Sequence, residues 1–181
     1  MYGRTLPPAY EGAPASCFNP YASLQAGAQA LRAGPDGVIV GRFGFSEPAS
    51  GLVSNALTSS TQRLGLVLPQ WGTFQKLYCQ DGTWILREGL SVVLESVGDF
   101  WVRFMGGAYP GQPVFASTLD GSAATGILGP QWTADSNVTA DSVTYTADGG
   151  GWQLTQWTCC SFAPPGGLGL ISTWQTFSPN N

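Results

Sequence analysis

The chain has 181 residues with no His, a single Lys (Lys76) and only 10% charged residues, against seven Trp, 25 Gly and 13 Pro, and its formal charge is −4. General acid–base and nucleophilic chemistry near neutral pH leans on imidazole or on tuned carboxylates and amines, and the six Arg spread from Arg4 to Arg103 make no basic stripe for a phosphate backbone. Catalysis and nucleic-acid binding are therefore disfavoured, and a surface this poor in charge, where an ordinary domain uses about a quarter of its residues as Asp, Glu, Lys and Arg, is read as one that meets other protein.

A hydrophobic content of 43% is ample for a core, and the length suits one domain with an arm and an appendage. The first residues, Met-Tyr-Gly-Arg-Thr-Leu-Pro-Pro, carry no apolar signal core, and no run of about 18 apolar residues marks a membrane span. The expectation is a soluble protein made in a cytoplasm, with no membrane partner.

Residues 1–35 form a Pro-, Gly- and Ala-rich arm, with at most a helical turn or two over Tyr21 to Ala33. Its aromatic and proline anchors have no core of their own, so the arm is read either as lying along a neighbour's surface or as a disordered tail. Cys17, Cys79, Cys159 and Cys160 have no framework spacing. Adjacent Cys159 and Cys160 should point to opposite faces of a strand and serve as small buried hydrophobes, and with no His and no Cys-x-x-Cys pair no metal and no other cofactor is expected.

From Asp36 onward the pattern is that of short strands. Val38 to Phe45 is β-branched and aromatic, Leu64 to Leu68 stops at Pro69, and Gln80-Asp81-Gly82-Thr83 is a turn. Leu90 to Val97 and Phe100 to Met105 read as a hairpin about Gly98-Asp99. A two-residue loop would bury Glu95 among apolar groups, which is costly. A three-residue loop pairs Val97 with Trp101 and Glu95 with Arg103, leaving Val92, Leu94, Val102 and Phe104 on the other face, and is preferred. Tyr109 to Ala116 is a turn feeding a strand, closed by Asp120-Gly121-Ser122. Further strands are expected at 126–133, 142–146, 152–162 and 168–177, within a stretch that is uncharged from Gly149 to Asn181 and centred on Trp152, Trp157, Phe162 and Trp174. Interface cores favour such a composition.

The fold class expected is all-β, a small β-barrel or sandwich core with an extended N-terminal arm and a C-terminal β extension. Its divisions are the arm at 1–35, the core at 36–125 and a Trp-rich segment at 126–181, packed on the core or on a neighbour.

The order Gly37-Val38-Ile39-Val40-Gly41-Arg42-Phe43, Leu64-Gly65-Leu66-Val67-Leu68, Leu90-Ser91-Val92-Val93-Leu94, Phe100-Trp101-Val102-Arg103-Phe104 and Gly111-Gln112-Pro113-Val114-Phe115-Ala116 resembles the structural cement (capsid decoration) proteins of tailed phages. The resemblance spans residues 36–125 and does not reach the arm or the segment after Gly126. It implies a virion protein on the outer surface of the assembled head that bridges major capsid subunits, stiffens the shell and catalyses nothing. Self-association as a homodimer or homotrimer is expected with it. Tyr10, Phe18 and Tyr21 of the arm and Trp101 are the candidate contact residues, each with local packing as the bland reading.

A rival reading is a carbohydrate-binding module or fibre base, with Trp71, Trp84 and Trp132 as a flat platform, although most Trp in β proteins are core or interface anchors. Asp135, Asp141 and Asp148 sit among Ser, Thr, Asn and Gly and read as turns rather than as a glycosidase pair.

Overall fold

The computed structural model describes residues 10–15, 22–24, 30–59, 62–69, 84–125, 137–140, 143–146 and 151–174, with 137–140 and 143–146 described by their backbone alone. Among these residues every regular element is a strand, as the turn-rich, β-branched sequence predicts.

Six strands form one sheet: β1 (Ala22–Ser23), β2 (Arg32–Ala33), β4 (Phe43–Ser46), β5 (Leu52–Ser54), β6 (Arg63–Leu68) and β8 (Val93–Val97), in the order β1-β8-β6-β4-β5-β2. Five more close into a barrel: β9 (Asp99–Phe104), β10 (Pro113–Ser117), β11 (Ala123–Thr125), β14 (Trp152–Cys159) and β15 (Gly167–Ser172), in the order β10-β11-β9-β15-β14. Two short pairs complete the set, β3 (Val38–Ile39) with β7 (Ile85–Leu86) and β12 (Asn137–Ala140) with β13 (Val143–Thr146).

The six-stranded sheet is apolar on both faces because its strands alternate between two cores. Phe43, Phe45 and Leu66 turn toward the barrel interior, where they join Phe100, Val102, Phe104, Val114, Trp157 and Ile171. Val53, Val67 and Leu94 turn the other way and pack with Leu31, Val38, Val40, Leu86 and Val92. The run Leu64-Gly65-Leu66-Val67-Leu68 is thus apolar throughout, with its leucines on the barrel face and Val67 on the other.

The hairpin expected at Gly98-Asp99 is not formed. β8 pairs with β6 and β1, whereas β9 pairs with β15 along its whole length, so the chain leaves one sheet and enters the other at Gly98. Gly98 has φ 140°, a conformation open to glycine and costly for other residues, and its carbonyl accepts a hydrogen bond from Thr173 N–H. Val92, Leu94, Val102 and Phe104 are buried as expected, but in two different cores. Glu95 lies opposite Leu66 and Ser23, not Arg103, and is buried. The segment Val38 to Phe45 is likewise two strands in two sheets, broken at Gly41.

The C-terminal segment supplies two of the five barrel strands, so residue 125 is not a boundary between sheets. Trp157 is 1% exposed and its ring meets Phe43 at 5.4 Å between centroids. Of the stretch Tyr21 to Ala33, Ala22–Ser23 and Arg32–Ala33 are strands at the two edges of the sheet, and residues 21 and 25–29, over which the helical turn is expected, lie outside the described residues.

Candidate functional site

Two surfaces are candidates for a functional site, the seat of the N-terminal arm and an aromatic patch at one end of the barrel. The arm is seated first by backbone pairing. Gly12 N–H donates to Trp101 O at 2.7 Å, Trp101 N–H donates to Ala13 O at 3.0 Å, and Ala15 N–H donates to Asp99 O at 2.8 Å. Residues 12–15 thereby act as a short strand along the flank of β9 that β15 leaves open. Residues 22–24 of the arm meet the sheet, where Leu24 N–H donates to Leu94 O and Ser96 Oγ donates to Ala22 O. The expectation that the arm lies on a neighbour rather than on its own chain is corrected for these residues. The exposed N–H and C=O groups of an edge strand are satisfied equally by any extended segment, and here the chain's own arm reaches them.

Side chains register the arm. Glu11 accepts from Arg103 Nε at 3.2 Å, and the same guanidinium donates to Gly166 O at 2.6 Å. Ser23 Oγ donates to Glu95 Oε1 at 2.7 Å, while Glu95 Oε2 is buried with no hydrogen-bond partner. Burial of a carboxylate, the feature that disfavoured one hairpin register, is what the fold adopts, and the arm's hydroxyl offsets part of its cost. Gly41, at φ 83°, lies under the arm, where a Cβ would fall 2.3 Å from Glu11 Cγ and 2.8 Å from the Glu11 carbonyl carbon.

The aromatic patch is built by two loops that follow β9 and β14. Ala108 and Ala163 exchange backbone hydrogen bonds of 2.9 and 3.0 Å, and this bridge sets Tyr109 beside Phe162 with centroids 5.4 Å apart and planes at 60°. Tyr109 N–H donates to Gln112 Oε1, and Gly111 N–H donates to Cys159 O, which tie the first loop to the barrel. Tyr109 and Phe162 are 51% and 59% exposed, and Met105, which opens the first loop, is 63% exposed. An edge-to-face pair in water with no charged residue between its rings is suited to bury against a partner.

Of the residues singled out from the sequence, Tyr10 is exposed and stacks on Trp84 with centroids 5.9 Å apart. Trp101 is half-buried in β9 with its backbone under the arm. Phe18 and Tyr21 lie outside the described residues. The structure brings Tyr10 and Trp101 onto one seat but makes neither part of the Tyr109–Phe162 patch. Tyr109 and Met105 were missed because a turn residue gives no sign in sequence of which side chain it will stand beside, although Tyr109-Pro110-Gly111 marks an aromatic on a turn.

For the sugar platform, Trp84 is half-buried against Tyr10, and Trp71 and Trp132 lie outside the described residues, as do Asp135, Asp141 and Asp148. Cys159 and Cys160 are free thiols, the first buried and the second half-buried. Burial pushes Cys159 up to about 11, and burial, followed by the nearby Asp99, also raises Cys160. Both are poor nucleophiles in the neutral range. Cys17 and Cys79 lie outside the described residues.

A family model described as XM1 gp53 minor capsid protein matches residues 1–155. Among solved structures, the chain is similar to one in the capsid of Myoviridae phage XM1, with a TM-score of 0.53 over 94% of this chain and 91% of that chain. The two are 18% identical, so this likeness speaks for the fold. Among curated proteins none matches.

Proposed function

The chain belongs to the XM1 gp53 minor capsid protein family, and from that premise we propose that it is a decoration, or cement, protein that binds the outer surface of the assembled phage head. As a member of the family it is a structural protein of a bacteriophage capsid and a component of the virion. It bridges major capsid subunits and stiffens the shell, and its role is structural rather than enzymatic.

The observation that carries this reading is the exposed Tyr109–Phe162 pair with Met105 at the barrel end, an apolar surface held rigidly by the Ala108–Ala163 bridge. Rigid aromatic anchors lose little conformational entropy on binding, and many weak copies on a shell act together. Tyr10, Phe18 and Tyr21 of the arm sequence form the second proposed contact. Trp101 enters through its backbone, which pairs with Gly12 and Ala13 of the arm.

The test is cosedimentation of the purified chain with assembled heads, alongside light scattering of the free chain to establish whether it is a dimer or a trimer. Saturable binding is expected, and the double variant Tyr109→Ala/Phe162→Ala should weaken it at least tenfold, about 1.4 kcal/mol. Absence of binding to heads, with the chain folded, would overturn the decoration reading.

A further inference from the structure

We propose that Arg103 couples the N-terminal arm to the aromatic patch. The seated arm fixes the guanidinium, the guanidinium fixes the loop that carries Phe162, and seating of the arm thereby sets the affinity of the patch for the head. The proposal rests on the decoration reading above and adds a means of regulating the surface that reading uses.

Strand alternation places Arg103. Phe100, Val102 and Phe104 of β9 turn into the barrel core, so Arg103 projects from the opposite face. The seat of the arm lies along one flank of its strand, and Leu168 of β15 lies beside it on the other. The guanidinium spans the two sides. Its Nε donates to Glu11 Oε2 at 3.2 Å, and a terminal nitrogen donates to Gly166 O at 2.6 Å. Among the described residues, this is the one side-chain hydrogen-bond link between the arm and the loop that joins β14 to β15.

Both ends of the link are held. Glu11 belongs to a turn closed by the bond from Ala13 N–H to Tyr10 O, its neighbour Gly12 donates to Trp101 O, and Gly41 packs so closely under it that a Cβ there would overlap the Glu11 side chain. On the loop, Gly166 N–H donates to Phe104 O at 2.8 Å and Gly167 N–H donates to Pro164 O at 2.7 Å. Gly166 is thus gripped through its N–H by the backbone of β9 and through its carbonyl by Arg103. The edge-to-face placement of Phe162 on Tyr109 therefore depends on two anchors, the Ala108–Ala163 bridge and Gly166, and the arm reaches the second.

Arginine suits this task. Its planar fork presents several N–H groups in fixed geometry and holds two acceptors at once, whereas lysine carries a point charge on a flexible stem. Holding so long a side chain over Gly166 O costs rotamer entropy, and the pair with Glu11 offsets part of that cost whenever the arm is seated. With Glu11 gone, the guanidinium has water as a ready alternative, because the Arg103 side chain is 47% exposed. A pair of this exposure changes an equilibrium by about fivefold at most, which sets the size of the coupling. Coupling between binding events is reciprocal, so occupancy of the patch also tightens the arm on its seat.

Head binding measured through a double-mutant cycle, with the full chain throughout, tests the coupling. Glu11→Gln should weaken binding about threefold, and Arg103→Lys, which keeps the charge and loses the fork, should do the same. In the Tyr109→Ala/Phe162→Ala background, Glu11→Gln should leave the residual binding unchanged, because the loop it positions no longer carries the contact. In the free chain, Glu11→Gln should speed amide exchange at Gly166 about threefold and leave Phe115 as it was. In the parent chain, binding to heads should slow exchange at Gly12 and Trp101.

Equal weakening by Glu11→Gln in both backgrounds would show that the arm touches the head itself or supports the fold in general, and it overturns the proposal. Undiminished head binding by a folded Glu11→Gln chain overturns it as well, and in both cases the decoration reading stands. If the Tyr109→Ala/Phe162→Ala variant binds heads as the parent does, the patch is not the contact and the coupling falls with it. Failure of the parent chain to bind heads overturns the decoration reading and this proposal together.

Discussion

β9 and β14 belong to the same barrel, and each has a flank that its barrel neighbours do not fill, yet the two flanks are treated differently. Along β9, residues 12–15 of the arm pair with Asp99, Phe100 and Trp101. Along β14, no described strand faces Leu154 and Gln156. An open edge is a template for any extended chain. One edge is thus closed within the molecule by residues 12–15, and the other has no partner among the described residues.

Removing the arm should break the comparison most severely. Deletion of residues 1–24 takes away the backbone bonds to Asp99, Trp101 and Leu94, the Ser23–Glu95 bond and the Glu11–Arg103 pair. At about 0.5–1.5 kcal/mol each, the expected loss is about 3–9 kcal/mol, read as a fall in the urea midpoint. An unchanged midpoint would mean that the arm is not seated in solution.

A smaller perturbation of the same seat is Gly41→Ala. The added methyl meets Glu11 and must adopt a positive φ, so a loss of about 1–3 kcal/mol is expected. Faster exchange at Gly12 and Trp101 but not at Phe115 would tie that loss to the arm, whereas uniform destabilisation would not. Ser23→Ala strips Glu95 of its hydroxyl partner and should cost about 1–3 kcal/mol. Glu95→Gln in the same background should recover part of it, and a full cost in both would show that packing rather than charge is at stake.

The smallest effect is expected away from both edges, at Asp120. Burial raises its pKa, but hydrogen bonds from Ser117 and Ser122 and the Arg42 guanidinium at 2.7 Å outweigh that and hold the carboxyl below its ordinary value. A pKa lowered by folding contributes stability that is present above the unfolded value, about 3.9, and is lost as pH falls through the folded value. Asp120→Asn should therefore cost a little at pH 7 and nothing well below the folded pKa. Because Asp120 is about half exposed, solvent screening keeps the effect slight. A difference from the parent chain that does not shrink on acidification would assign Asp120 a purely steric role.

Much of the local structure could be read from residues alone. The strand ending before Pro69, the turn at Tyr109-Pro110-Gly111 that feeds Pro113–Ser117, and the alternation that buries Val92, Leu94, Val102 and Phe104 all depend on chemistry within a few residues. The partners of those strands could not be read. Glu95 and Arg103 would satisfy a hairpin, but their true partners, Ser23 with Leu66 and Glu11 with Gly166, come from segments remote in sequence. The uncharged stretch after Gly149, read as interface, splits in the same way. Trp157 is core, whereas Phe162 stands in water.

The sequence by itself determined that this protein is all-β, poor in charge and suited to bury area against repeated partners, because strand propensity, turn chemistry and net composition are sums over near neighbours. Only the tertiary structure decided that the chain changes sheets at Gly98, that its arm closes the flank of β9, and which aromatics face solvent. Those outcomes depend on backbone hydrogen bonds, which are alike at every residue, so their pairing is selected by how the whole chain packs.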